Sequence, residues 1–134
     1  MKFLIDSDWI IDGLIGRPTA VQTIAALGSY GASVSIAAVG EVFEGAFGTF
    51  DPQKTLQIFR EYLADFVVLP LTDPIMETFA RIRSFLRAQG LLIPDIDLQI
   101  AATAITLDLT LVTRNLRHFS RVPGLKIYDP ASAT

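Results

Sequence analysis

Short apolar runs alternate along this chain with longer stretches in which apolar residues recur at helical spacing. Phe3-Leu4-Ile5 reads as a buried strand that stops abruptly at Asp6-Ser7-Asp8. Ser7 or Asp8 then offers an N-cap to a helix through Trp9, Ile10, Ile11 and Leu14. Pro18 opens a second helix, with Val21, Ile24, Ala25 and Leu27 on one face. Ser33 to Ile36 alternates as a strand does, and a short helix around Glu41 follows. Asp51-Pro52 starts a helix whose apolar stripe is Leu56, Phe59 and Leu63, and Phe66-Val67-Val68-Leu69 is a strand closed by Pro70. Asp73-Pro74 starts another helix, which runs to Gln89 and ends at Gly90. Pro94 precedes a helix from Asp95 to Leu107, Leu109 to Val112 is a strand, and Lys126-Ile127-Tyr128 is a last short one.

Strands that alternate with helices of roughly 10–15 residues predict a parallel sheet covered by helices. The 134 residues fit one domain, 1–134, without internal repeat or linker. Right-handed crossovers put all strand C-termini at one sheet edge, where ligand sites of open α/β sheets lie. That edge would gather Asp6 after the first strand, Glu41 after the second, Asp95 and Asp97 after Pro94, and Thr113-Arg114-Asn115 after the strand Leu109–Val112.

Composition narrows the chemistry by subtraction. An apolar fraction of 51% excludes intrinsic disorder. With no cysteine and one histidine, His118, the chain has no disulfide, thiolate metal site, cysteine nucleophile or multi-histidine centre. Residues 18–40 carry no charge, but Pro18, Gln22, Thr23, Gly28, Ser29, Gly31, Ser33 and Ser35 interrupt them, so no membrane span is expected. The N-terminal run meets Asp6 too soon for a signal peptide, and a soluble, cytoplasmic protein is expected. The net charge of −3 argues at first against a nucleic-acid partner. Its distribution argues otherwise: residues 1–80 hold ten acids and four bases, whereas residues 81–134 hold seven bases and four acids. Eight of the eleven bases are arginine, the side chain best suited to bidentate phosphate contacts.

Taken singly, several of the acids fit plain structural roles. Asp8 and Asp95 sit at helix starts, where acids cap and meet the helix dipole favourably. Glu44, one turn after Glu41, is an equal candidate for the solvent-facing member of that pair, and Asn115 fits a turn. Asp6 and Glu41 are harder to dismiss, each being an acid in an apolar neighbourhood. Carboxylates crowded in a partly buried site raise each other's pKa unless a cation neutralises them. Without soft ligands that cation is Mg²⁺, or Mn²⁺ in its place. A metal held by carboxylates suits phosphoryl or phosphodiester chemistry. No P-loop, GxGxxG or GxSxG competes with this reading.

The same residues resemble a known family. Phe3-Leu4-Ile5-Asp6-Ser7-Asp8 is similar to the opening strand of PIN-domain ribonucleases, and Glu41 with Gly45 resembles their second acid and its trailing glycine. Asp97-Leu98-Gln99-Ile100-Ala101-Ala102-Thr103-Ala104 is very close to the helix of the third acid. Leu111-Val112-Thr113-Arg114-Asn115, Phe119 and Val122-Pro123-Gly124-Leu125 resemble the C-terminal signature. Size and pattern look most like the VapC toxins of bacterial toxin–antitoxin pairs.

The resemblance implies a three-layer α/β/α sandwich with a mostly parallel central sheet of four to five strands. It also implies a Mg²⁺-dependent endoribonuclease, commonly dimeric, neutralised by a cognate VapB-like antitoxin. Its metal ligands carry over to Asp6, Glu41 and Asp97. Asp97 takes the third place because it precedes Leu98-Gln99-Ile100-Ala101, and Asp95 points about 200° away on the same helix. The fourth position, often Asp, is Asn115, which accepts a hydrogen bond or orients water but adds no charge, so a second metal is weakened. Thr113 and Asn115 would order water or phosphate, with Asp8 a secondary candidate. Arg114, Arg117 and Arg121 would steer the RNA backbone, extended by Arg81, Arg83 and Arg87. Trp9, Ile10 and Leu14, with Phe43, Phe47 and Phe50, offer a groove for an antitoxin helix, against ordinary core burial. Two rivals remain: a haloacid-dehalogenase-type phosphatase using Asp6 and Asp8, and a catalytically weakened interaction domain.

Overall fold

The structure, a computed structural model, describes residues 2–129. Five short parallel strands form one sheet: β1 (Phe3–Ile5), β2 (Ala32–Ser35), β3 (Val67–Leu69), β4 (Thr110–Val112) and β5 (Lys126–Ile127). Seven helices connect them: α1 (Ser7–Leu14), α2 (Pro18–Gly28), α3 (Ile36–Ala46), α4 (Pro52–Leu63), α5 (Asp73–Ala88), α6 (Asp95–Thr106) and α7 (Leu116–Phe119). Strand order is β3-β2-β1-β4-β5 and every pairing is parallel. Leu4 lies between Ser33 of β2 and Leu111 of β4. Because both sheet faces are covered, Leu4, Ile5, Val34, Leu111 and Val112 have no exposed surface.

The order of the strands fixes where the site must be. From β1 the chain winds outward to β2 and β3, then returns across the sheet to β4 and β5 on the other side of β1. Right-handed crossovers therefore put α1–α4 on one face and α5–α7 on the other. The chain leaves β1 and β4, which are neighbours, toward opposite faces, and this opens a crevice between their C-terminal ends. Asp6 and Thr113 are the first residues beyond those two ends.

Two expectations change in the structure. The helix carrying Glu41 is eleven residues long rather than short. Ser35 ends β2 and caps α3, its hydroxyl accepting from the Ala37 N–H at 3.1 Å, so Ile36 begins the helix instead of closing the strand. The long helix is held by a buried stripe of Ala38, Val39, Val42 and Ala46. Of the two readings of Trp9 and Ile10, groove or core, the structure shows core: Ile10 is wholly buried and Trp9 nearly so. Phe43 packs partly against that core under the Arg60 guanidinium, and only Phe47 and Phe50 stand out from the surface. Among the described residues, no helix is long and apolar enough to cross a membrane.

A carboxylate crevice at the sheet edge as the candidate active site

Asp6 is 4% exposed and forms the N-cap of α1. One carboxylate oxygen accepts from the Ser7 N–H at 2.8 Å and the other from the Thr113 hydroxyl at 2.7 Å. The second of these bonds crosses the crevice from β4 to β1. Thr113 is fixed in turn, its Oγ1 accepting from the Asn115 N–H at 3.0 Å. Burial pushes the Asp6 carboxyl from 3.8 up to about 7. The Thr113 hydrogen bond opposes that rise, and the charges of Asp8 and Asp97 add to it.

Glu41 comes to the same place from α3. Its carboxylate accepts from the Ser7 hydroxyl at 3.1 Å, and burial raises its pKa, with further upward pressure from Asp97, Asp8 and Glu44. Glu44 is the exposed member of the Glu41/Glu44 pair. From α6, Asp97 turns inward and is buried. One of its oxygens meets His118 Nδ1 at 2.7 Å and accepts from the Asn115 amide at 3.4 Å. Asp95, two residues earlier, faces out and pairs with Arg83 at 2.9 Å.

Asn115 does two things at once. Its Oδ1 caps α7 by accepting from the His118 N–H at 3.4 Å, as a turn residue would, while its amide nitrogen reaches Asp97. Asp8 accepts from the Trp9 N–H at 2.7 Å and from the Arg114 N–H at 3.0 Å. Burial raises the pKa of Asp8 against those bonds.

The arginines separate into different kinds. The Arg114 guanidinium pairs with Asp12 at 2.8 Å and lies 3.8 Å from Asp8, yet half its side chain stays exposed. Arg121 donates to the carbonyls of Leu91 and Leu92 at 3.4 and 3.2 Å, bracing the loop before α6. Arg117 is exposed and, among the described residues, makes no ion pair. Three participants escaped the sequence reading. Ser7 positions Glu41, His118 seats Asp97, and Asp12 anchors Arg114. Asp12 carried a signal, because Asp8 and Asp12 stand at i and i+4 on one face of α1.

Among the described residues, no three carboxylate or imidazole side chains already stand in a chelating arrangement. The donor set nonetheless fits a hard divalent cation in charge and type. It consists of oxygen donors, three of them with pKa values pushed up by burial, and the charges of Asp8 and Asp97 act on both Asp6 and Glu41. The acids stand at the switch point of an open α/β sheet, where such folds hold their ligands.

Residues 3–125 match the PIN domain, and the chain belongs to that family. A ribonuclease VapC1 from Methanocaldococcus jannaschii is 35% identical over 130 residues, covering 96% of this chain and 88% of the relative. A ribonuclease VapC2 from Haemophilus influenzae is 29% identical over 126 residues, covering 94% and 96%. The DNA-bound VapBC crystal structure from Salmonella typhimurium superposes with a TM-score of 0.87 at 26% identity, covering 96% of this chain and 98% of that one. The phosphatase alternative falls with this membership. It also lacks its lysine at the crevice, since Lys126 pairs with the exposed Asp108 and Lys54 lies exposed on α4.

Proposed function

We propose that this chain is a cytoplasmic, metal-dependent endoribonuclease that hydrolyses RNA phosphodiester bonds and serves as the toxin of a toxin–antitoxin pair. The observation that carries the reading is the meeting of Asp6, Glu41 and Asp97 around one crevice, each from a different connection of the sheet. The VapC ribonucleases it resembles, and the toxin–antitoxin complex whose fold it shares, support the substrate and the partner. Asp6, Glu41 and Asp97 would hold Mg²⁺, with Mn²⁺ as substitute. When bound, the cation activates a water and offsets charge on the phosphate.

The chain's own residues do the positioning. Thr113 fixes the Asp6 carboxylate from across the crevice, Ser7 fixes that of Glu41, and His118 with Asn115 fixes that of Asp97. With an amide rather than a carboxylate at Asn115, the site has charge for one tightly held cation. Arg114, held by Asp12 and Asp8, presents a fixed cation to the RNA backbone, and Arg117 an exposed one. Single-stranded RNA suits an open crevice better than a duplex, whose base edges are hidden. A VapB-like antitoxin and a second copy of the chain are the protein partners of this reading, and the exposed Phe47, Phe50 and Phe85 offer apolar surface to them.

The direct test is cleavage of end-labelled RNA by the protein freed of its antitoxin. Cleavage in Mg²⁺ that stops in chelator supports the reading, whereas hydrolysis of p-nitrophenyl phosphate without RNA cleavage would sink it. Arg117→Ala should weaken RNA binding evenly across sequences and lower the salt slope by about 1 in fluorescence anisotropy. An unchanged slope would remove Arg117 from the RNA track.

A further inference from the structure

A cavity of about 490 Å³ opens beside the carboxylate crevice and shares a wall with it. Trp9, Thr113, Arg114, Leu116, Ile127, Tyr128 and Asp129 line it. Its position follows from the sheet. β5 pairs with β4 in parallel, Ile127 beside Leu111, so the chain leaves β5 at the same edge as Thr113, one strand further from Asp6. The Tyr128 N–H donates to the Leu111 carbonyl at 2.8 Å, and its ring stands edge-on to Phe3 at 5.8 Å. Leu116 is 55% exposed although it is a large apolar residue. Trp9 is buried, and its Nε1–H is, among the described residues, a buried side-chain donor with no hydrogen-bond partner.

We propose that this cavity is a nucleobase subsite that receives one unpaired base of the RNA next to the phosphate at Asp6. This rests on the ribonuclease reading and adds to it a determinant of sequence preference. Thr113 is common to both sites through its bond to Asp6, so an occupant of the cavity lies next to whatever occupies the crevice. The occupant must combine a flat apolar group, to meet Trp9, Leu116 and Tyr128, with polar edge atoms, to meet Thr113, Arg114 and Asp129. A nucleotide has both, and RNA is read in single strands by bases stacked on aromatic rings. The size is within the range of small-molecule sites.

Trp9 is the one tryptophan of the chain, so its fluorescence reports on the cavity directly. A short single-stranded RNA, 2′-O-methylated to resist cleavage, should change that fluorescence on binding to the full-length protein. Removing the base at one position of the strand should abolish the change. A strand without that base that moves the fluorescence equally would overturn the proposal. In parallel, cleavage of a randomised RNA pool should show a preference at one position flanking the cut. Tyr128→Ala should flatten that position by roughly tenfold and leave the others as they were. Leu116→Ala, at an exposed position, should do the same more weakly. A profile unchanged in both variants refutes the subsite while leaving the ribonuclease reading intact. Absence of RNA cleavage by the wild type removes that reading and the subsite with it.

Discussion

Asp97→Asn is expected to abolish RNA cleavage, lowering kcat/KM by at least roughly a thousandfold, equal to about 4 kcal/mol of transition-state stabilisation. The substitution keeps the shape of the side chain and keeps an oxygen to face His118 Nδ1, which now stands 2.7 Å from the carboxylate. What it removes is a negative charge from a crevice whose acids come from three connections of the sheet. The fold should survive, so circular dichroism and thermal melting separate a lost site from a lost protein. Asp95→Asn is the matched control on the same helix turn. Its ion pair with Arg83 is 2.9 Å long but largely solvated, and such pairs contribute about 0–1 kcal/mol. Cleavage by Asp95→Asn should stay within about twofold of wild type, as for surface changes that touch nothing else. Near-wild-type kcat/KM in Asp97→Asn would overturn its assignment as a metal ligand.

The difference between these two aspartates was legible in the sequence, since residues two apart on a helix cannot share a face. So was the place of Asp6, because an acid that ends a buried apolar strand loses its water and needs a donor or a cation to meet it. The all-parallel sheet followed from the alternation of elements, which is a long-range property of the whole chain. What was not legible depended on contacts between distant segments. His118 follows Asn115 by three residues, but only the folding of α6 against α7 brings it to Asp97. Arg114 looked like an RNA-binding cation on charge alone, and its clamp of Asp8 and Asp12 joins positions about a hundred residues apart. Val67 and Val68 lie in an apolar run read only as a strand, and they are 50% and 40% exposed because β3 is the sheet's edge. Strand order decides that exposure, and a single strand's composition does not encode it.

In chelator, the stability of the protein should fall as pH rises from about 4 to 7, and Asp6→Asn should remove much of that fall. Asp6 carries a carboxyl raised from 3.8 to about 7, first by burial, against the Thr113 hydrogen bond, then by Asp8 and Asp97. Between those two values the native state keeps a proton that the unfolded chain has released. Stability therefore declines with rising pH across that window and levels off above it. At 1.36 kcal/mol for each pH unit, the decline amounts to about 4 kcal/mol. Asp8 and Glu41, both raised by burial, add slopes of the same sign. Urea unfolding of wild type and Asp6→Asn at pH 4 to 8 measures this directly. The variant should be the more stable of the two at pH 8 although it cleaves no RNA, the pattern of a site that sacrifices stability for charge. Mg²⁺ at pH 8 should restore stability to the wild type and much less to Asp6→Asn, because the ion binds the native carboxylates and so favours the folded state. Parallel pH curves for the two proteins would show that Asp6 ionises in the fold as it does in water, and the cation would then have no buried charge to relieve.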